Sequence, residues 1–379
     1  PTTVFYPALA QHGHGQPDVA DGPYPLVVFA PGLGSPPNLG RYRPLLRAWA
    51  SDGYVVAAPT FPLTNAATPG GPDAADFVNQ PGDMRFVIDQ ILARSDARRG
   101  LLSGLVDKHR IGVAGHSLGG VTALAVDENT CCRDGRVRAA VIISGDPLSF
   151  PGGSPRPDRA PALLFVHGDA DSSVPYAASV RAFDAARSPK GLLTVNGGGH
   201  STPVEASNPA FPAVVAVTKD FFDAYVKGSA RARNALEKMP TSSSTRFVFA
   251  ASGESRVTVP VPTMPGRHRQ VVISPSGPVA DHEQVAVHWS GFSPNVNVNV
   301  LECWHDHPSQ PTDCDLGSAQ LLRPDPAGSG TLTLQVHTGA VGAGTCPPGS
   351  SSCVVAVNEG GSFDPAATVT APITFAPAS

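Results

Sequence analysis

The stretch IGVAGHSLGG, residues 111–120, joins a strand pattern to a helical one. Ile111 to Ala114 form a short apolar run, and Gly120 to Val126 form a small-residue helical pattern. Between them lies Gly115-His116-Ser117-Leu118-Gly119, a G-x-S-x-G motif. Its glycines allow the backbone to make a tight, strained strand-to-helix turn that exposes the serine hydroxyl. The context therefore predicts Ser117 as a nucleophile; the alternative is an ordinary glycine turn.

Further apolar runs lie on both sides of this motif. They are Leu26–Ala30, Tyr54–Ala58, Ala139–Ile143, Ala162–Val166 and Leu192–Val195. Short continuous apolar runs are typical of strands buried on both faces. A helical pattern extends from Asp83 to Arg94, with Asp83 as the candidate N-cap. The alternation of strands and helices predicts an α/β fold with a mostly parallel sheet.

Length and charge limit the classes of protein and partner. A chain of 379 residues has room for two domains of roughly 150 residues each. The net charge is −4 and no block of like charges occurs, so nucleic acid is not expected as a partner. No apolar run is long enough to span a membrane. The chain begins at Pro1 without a signal-peptide pattern, and we expect a secreted protein whose signal peptide has been removed.

The composition changes near residue 240. All five lysines precede Pro240, and residues 240–245 form the polar run PTSSST. We predict an α/β domain over 1–239, a linker with possible extra strands over 240–268, and an all-β sandwich over 269–379. The helical pattern Ala213 to Val226 would close the sheet, so the catalytic core should be complete by Met239. The strand patterns of the last region are Gln284–Trp289, Asn295–Leu301, Thr331–Val336 and Val354–Val357.

A serine nucleophile needs a base, and the base needs an orienting acid. In strand–turn–helix hydrolases the order along the chain is Ser, Asp or Glu, then His. His200 follows the run Leu192–Val195 and is the candidate base. Asp169 and Asp171 both follow the preceding run, so either could be the acid. Asp169 could instead brace its loop.

The oxyanion of a tetrahedral intermediate requires preorganised N–H donors. The backbone N–H of Leu118, which follows the nucleophile, is one candidate. Leu33, in the glycine-containing loop Ala30-Pro31-Gly32-Leu33-Gly34-Ser35, is the other. Neither glycine-containing loop has the Lys-Ser/Thr of a phosphate-binding P-loop.

These motifs resemble secreted α/β-hydrolases of the dienelactone hydrolase, platelet-activating-factor acetylhydrolase and cutinase/polyester-hydrolase group. The resemblance covers about residues 1–230 and implies an α/β-hydrolase fold. It implies Ser117 as nucleophile, Asp171 as acid, His200 as base, and Leu33 with Leu118 as the oxyanion hole. Ser117 excludes the cysteine mechanism of dienelactone hydrolase proper. Residues 144–147 lack the tryptophan of polyester hydrolases, and Leu33 replaces a common aromatic residue, so polyester hydrolysis is not favoured.

The region 269–377 resembles the neocarzinostatin family of immunoglobulin-like sandwiches, some of which bind a small chromophore. The resemblance rests on short strand motifs and on four cysteines. Cys303 and Cys314 are 11 residues apart, and Cys346 and Cys353 are 7 apart. Both pairs flank turn-rich loops and are candidate disulfides, as an oxidising compartment would allow.

Other cysteines and histidines have alternative interpretations. Cys303 with His305 and His307 could bind zinc, although the usual C-x₂-C spacing is absent. Cys131 and Cys132 could be free, bridged to each other or paired elsewhere. His12 and His14 are expected in a solvated loop. We expect neither a metal nor an organic cofactor.

Two functions remain open at this stage. The first is a serine esterase, without a large lid, that cleaves carboxylic esters of short to medium acyl chains through an acyl-enzyme. The alternative is a small-molecule binding or carrier protein that uses the C-terminal sandwich, with an accessory hydrolase-like domain. The sandwich could also bind a wall or polymer surface, or serve only to stabilise the enzyme.

Overall fold

A computed structural model describes residues 1–9, 15–148, 150–156, 161–253, 268–294, 296–309, 311–359 and 367–377. His12 and His14 lie outside the described residues. The chain divides into two compact units. The first comprises Pro1–Ala170 with Tyr176–Val259, and the second comprises Asp171–Pro175 with Pro260–Ser379.

The first unit is built on an eight-stranded sheet. Its strands are β1 Thr2–Phe5, β2 Tyr24–Ala30, β3 Val55–Pro59, β4 Val106–His116, β5 Val137–Ile143, β6 Ala162–Gly168, β7 Lys190–Val195 and β8 Thr245–Ala250. Their order across the sheet is β1-β3-β2-β4-β5-β6-β7-β8. Strands β2 to β7 pair in parallel, and the edge strands β1 and β8 pair antiparallel. The predicted α/β region with a parallel sheet is confirmed.

In the described part of this unit, six α-helices cover the two faces of the sheet. They are α1 Arg43–Ser51, α2 Gln80–Asp96, α3 Leu118–Glu128, α4 Tyr176–Ala185, α5 Phe211–Tyr225 and α6 Ala230–Glu237. Successive side chains of a strand point to opposite faces. Accordingly, Leu26 and Val28 of β2 belong to the apolar core of α2, α3 and α4, whereas Val27 and Phe29 belong to the core of α1, α5 and α6. Burial on both faces explains the continuous apolar runs.

Helix α2 begins before the point predicted from hydrophobic periodicity. Its N-cap is Asn79 rather than Asp83, which lies in the first turn. Pro81 fits there because the first turn has no intrahelical partner for its missing N–H. Gln80 is fully buried and donates to Thr64 Oγ1 at 2.9 Å. This tertiary contact extends the helix toward its N-terminus.

The first sheet also extends beyond Met239, where we expected the core to be complete. Strand β8 pairs with β7 in register from Lys190 opposite Ala250 to Val195 opposite Thr245. Phe247 and Phe249 of β8 pack against the core on the α5 side of the sheet. Strand β8 therefore belongs to this sheet and lies in the region 240–268, for which possible extra strands were predicted. Residues 254–267, which include the rest of the predicted linker, lie outside the described residues.

The second unit is all-β where the structure describes it, as predicted. Its strands are β9 Gln270–Ser274, β10 Gln284–Ser290, β11 Val298–Cys303, β12 Gln320–Leu322, β13 Gly330–Gln335, β14 Gly339–Val341, β15 Gly344–Cys346, β16 Cys353–Glu359 and β17 Thr368–Ile373. They form a three-stranded sheet β13-β10-β9, a four-stranded sheet β12-β11-β16-β17 and the ribbon β14-β15. All pairs are antiparallel. Trp289, Phe292 and Val355 lie in their shared apolar core.

Candidate active site

Ser117 occupies the turn between β4 and α3. Its backbone has φ 57° and ψ −125°, a conformation that is unfavourable for any residue with a Cβ. A Cβ on Gly115 would overlap the carbonyl of Gly119, and a Cβ on Gly119 would overlap the carbonyl oxygen of Ala30. Both glycines of the motif are therefore required by close backbone packing, and the turn projects the Ser117 side chain from the carboxyl end of the sheet.

His200 lies in the loop that follows β7. Its Nε2 atom is 2.8 Å from the Oγ of Ser117, within hydrogen-bond distance. The two residues are 83 positions apart in sequence, and the parallel sheet brings their loops together because β4 and β7 end at the same edge. The structure thus pairs a hydroxyl with a potential base.

Three residues that the sequence analysis did not select hold this region in place. The carbonyl oxygen of His200 accepts hydrogen bonds from Ser144 Oγ at 3.0 Å and from His116 Nε2 at 2.9 Å. The other ring nitrogen of His116 is 3.0 Å from the hydroxyl of Tyr42. Residues 42 and 116 are 74 positions apart, and no short motif connects them. Only the position of His116 inside G-x-S-x-G could have drawn attention to it.

The two candidate acids have different surroundings. Asp169 is exposed, and its Oδ1 accepts the backbone N–H of Gly197 at 2.6 Å, which ties the turn after β6 to the loop after β7. Asp171 is buried, and its Oδ1 accepts the N–H groups of Ser173 at 2.8 Å and Val174 at 3.0 Å. Asp169 therefore has the bracing contact that was considered for it. The two N–H donors hold the Asp171 carboxylate in a fixed orientation.

The candidate oxyanion donors lie on two loops near Ser117. Leu118 is the first residue of α3, so helical hydrogen bonding provides no acceptor for its N–H. In the other loop, the N–H of Gly32 lies 3.2 Å from Tyr42 Oη, and the N–H of Gly34 donates to Thr64 O at 2.8 Å. A Cβ built on Gly32 would lie 3.1 Å from the Cβ of Ser117, so this loop lies directly beside Ser117.

Every cysteine in the described residues forms a disulfide bond. Cys303 is bonded to Cys314 and Cys346 to Cys353, as predicted. Cys131 is bonded to its neighbour Cys132, which settles the choice left open above.

Cys303 cannot supply a thiolate to a zinc ion because its sulfur is bonded to Cys314. The imidazole of His305 instead lies 3.3 Å from Asp313 Oδ2. Within the described ranges, no group of three or more potential ligands could hold a metal ion.

The second unit contains an open cavity of about 270 Å³ that the sequence analysis did not anticipate. It is lined by His282, Asp315, Ser318, Gln320, Thr333, Leu334, Gln335 and His337. Glu302, which is fully buried, has its Oε2 at 3.1 Å from His337 Nδ1 and accepts the backbone N–H of the same residue. Burial raises the pKa of Glu302 to about 7. These polar groups could recognise a small hydrogen-bonding molecule.

Comparison with known proteins identifies the second unit. Residues 271–375 match the Neocarzinostatin family, which confirms the resemblance noted for this region. No curated protein matches the chain. In the part of the chain that the structure describes, no helix is both long and apolar enough to cross a membrane.

Proposed function

We propose that this protein is a serine hydrolase that cleaves carboxylic esters through an acyl-enzyme. The single observation that carries the proposal is the 2.8 Å distance between Ser117 Oγ and His200 Nε2 at a strained strand-to-helix turn. Strained backbone at a nucleophilic side chain is typical of functional sites. The parallel sheet, with antiparallel strands at both edges, supports an α/β-hydrolase fold.

In the first step, Ser117 Oγ attacks the ester carbonyl carbon and His200 Nε2 takes the hydroxyl proton. The tetrahedral oxyanion is stabilised by the backbone N–H groups of Leu118 and Leu33. Asp171 is the acid that orients the His200 ring and stabilises the imidazolium. Its buried carboxylate, fixed by two backbone donors, suits that role better than the exposed Asp169, whose carboxylate is engaged with Gly197.

Collapse of the intermediate breaks the bond to the alcohol oxygen, and His200 returns its proton to this leaving group. The products of this half-reaction are a free alcohol and an acyl-enzyme on Ser117. In the second half-reaction, His200 takes a proton from water as the water oxygen attacks the acyl carbonyl. The new tetrahedral intermediate then breaks its bond to Ser117 Oγ, His200 returns the proton to that oxygen, and the carboxylic acid is released. No cofactor is needed for this sequence.

The expected substrates are esters with short to medium acyl chains. The connection from Ile143 to Ala162 is short, and its described residues contain no helix that could form a lid. An open cleft should follow, so activity should not rise sharply when a short-chain ester passes its solubility limit. The disulfides support secretion into an oxidising compartment.

The test is covalent labelling combined with kinetics on the full chain. A fluorophosphonate should label Ser117, and Ser117→Ala should lower kcat on p-nitrophenyl butyrate at least about a thousand-fold. Ser103→Ala is a matched control because Ser103 is only partly exposed, donates to Ala97 O and lies before β4, away from the site. Unlabelled folded protein, or substantial activity in Ser117→Ala, would refute the proposal.

A second function, ligand binding by the C-terminal unit, is favoured by the 270 Å³ polar cavity. Its occupant would be a small molecule rich in hydrogen-bonding groups. We would screen such molecules by ligand-observed NMR against the full chain and against Gln335→Ala, which alters the cavity wall. Binding that is unchanged by this substitution would contradict the assignment of the cavity.

A further inference from the structure

A continuous chain of hydrogen-bonding groups connects the oxyanion loop to the loop of the base. The N–H of Gly32 lies 3.2 Å from Tyr42 Oη, which lies 3.0 Å from His116 Nδ1. On the other side of the same ring, His116 Nε2 lies 2.9 Å from the carbonyl oxygen of His200. Tyr42 and His116 are 4% and 3% exposed, so water competes little for these contacts.

The chemistry of the end groups indicates the donors along this chain. Tyr42 Oη also lies 3.2 Å from Ser35 Oγ, which donates to Gly32 O at 2.6 Å and belongs to the same network. A carbonyl oxygen only accepts, so His116 Nε2 must carry a hydrogen. In an uncharged imidazole, Nδ1 is then the acceptor and receives the hydroxyl hydrogen of Tyr42. Tyr42 Oη in turn accepts from Gly32 N–H. Burial raises the pKa of Tyr42, which keeps its hydroxyl protonated and able to donate.

We propose that Tyr42 and His116 are positioning residues, which set the oxyanion loop and the His200 loop relative to Ser117. The proposal rests on the hydrolase function proposed above. Gly32 adjoins the candidate donor Leu33, so the Tyr42 contact fixes the peptide beside that donor. His116 adjoins the nucleophile in sequence, and its ring lies 4.9 Å, between centroids, from the ring of His200.

Removing the Tyr42 hydroxyl would act on both loops at once. In Tyr42→Phe, Gly32 N–H, Ser35 Oγ and His116 Nδ1 each lose their contact with the hydroxyl, and the loss of buried hydrogen bonds drives local rearrangement. A displacement of about 1 Å at a catalytic group can cost on the order of a hundred-fold in rate. Neither residue is assigned a contact with substrate, so kcat should change more than KM.

The experiment compares Tyr42→Phe and His116→Phe with Tyr54→Phe in the full chain. Tyr54 is a matched control because it is also fully buried and its hydroxyl also makes a hydrogen bond, to Asp223 Oδ1 at 2.7 Å, but it lies directly before β3. We expect kcat on p-nitrophenyl butyrate to fall about 10- to 100-fold in the first two variants, with KM within about twofold. Tyr54→Phe should keep the wild-type kcat. Equal kcat values in Tyr42→Phe and Tyr54→Phe would overturn the proposal.

An NMR measurement separates this proposal from the proposed function. In ¹⁵N-histidine spectra, the signals that disappear in His116→Phe belong to His116 and should show the Nε2–H tautomer. Tyr42→Phe should shift the Nδ1 signal, because this atom loses its donor. The Nδ1–H tautomer in wild-type protein would overturn the hydrogen-bond chain even if the enzyme is active. Wild-type protein that hydrolyses no ester and is not labelled would overturn the proposed function, and with it the positioning role, even if the tautomer is as expected.

Discussion

Replacement of Ser117 by glycine tests whether the turn is strained. Ser117 has φ 57° and ψ −125°, and glycine is the residue that adopts such a conformation without a steric penalty. Alanine keeps a Cβ and therefore keeps the strain. Ser117→Gly and Ser117→Ala both lose the 2.8 Å contact to His200, so this loss cancels when the two variants are compared.

Two opposing effects set the expected difference in unfolding free energy between Ser117→Gly and Ser117→Ala. Relief of an unfavourable backbone conformation is worth about 1–3 kcal/mol. Glycine also gives the unfolded chain more conformational freedom than alanine does, which offsets about 0.4–1 kcal/mol. We therefore expect Ser117→Gly to be more stable than Ser117→Ala by about 1 kcal/mol, and both to be inactive.

Urea unfolding of the full chain measures this difference. The six α-helices found in the described residues all lie in the first unit, so far-UV circular dichroism in the helix band follows the unfolding of that unit. Ala93→Gly is the control for the intrinsic effect of glycine, because Ala93 is exposed within α2 and should lose about 1 kcal/mol. If Ser117→Gly is no more stable than Ser117→Ala, the turn is not strained and the argument for a nucleophile elbow fails.

Four other substitutions test further parts of the molecule. Asp171→Asn should lower kcat about a hundred-fold or more while Asp169→Asn lowers it less and mainly lowers the urea midpoint; the reverse order in kcat would make Asp169 the acid. Because the pKa of Glu302 is raised to about 7 from 4.5, the folded state binds this proton more tightly than the unfolded state does. The second unit should therefore lose up to about 3 kcal/mol as pH rises from 4.5 past 7, and Glu302→Gln should remove this loss in urea titrations followed by tryptophan fluorescence. Gly119→Ala should destabilise the first unit by about 1–3 kcal/mol, measured by its urea midpoint, because the new Cβ overlaps a backbone oxygen; an unchanged midpoint would contradict the close packing of this turn.

Many strands of the first unit could be predicted because burial on both faces leaves a run of apolar residues in the local sequence. Parallel strands that are covered on both faces require continuous apolar runs, and each of the predicted runs falls on or within a residue of an observed strand. The close approach at Gly115 and Gly119 is also local, since it depends on the turn itself. His200 could be selected because its glycine-rich loop follows a strand that ends at the same sheet edge.

Other features depend on contacts between distant residues and leave no such pattern. Tyr42 contacts His116, which is 74 positions away in the sequence. Ser144 contacts His200, which is 56 positions away. The cavity beside His337 is likewise formed by loops and strands that are separate in sequence. Hydrophobic periodicity reports which face of an element is buried, but it does not report which polar groups meet there.

The anchoring of the His200 loop explains how one residue can serve both structure and chemistry. Its carbonyl oxygen accepts from Ser144 and from His116, so the main chain holds the loop in place. The Nε2 atom of the ring faces Ser117 Oγ at 2.8 Å. A general base must exchange a proton in every half-reaction, and a base whose ring also held its loop would disturb that loop each time its charge changed. In the mechanism that we propose, these contacts to the backbone would let the imidazole change protonation state while its distance to Ser117 is maintained.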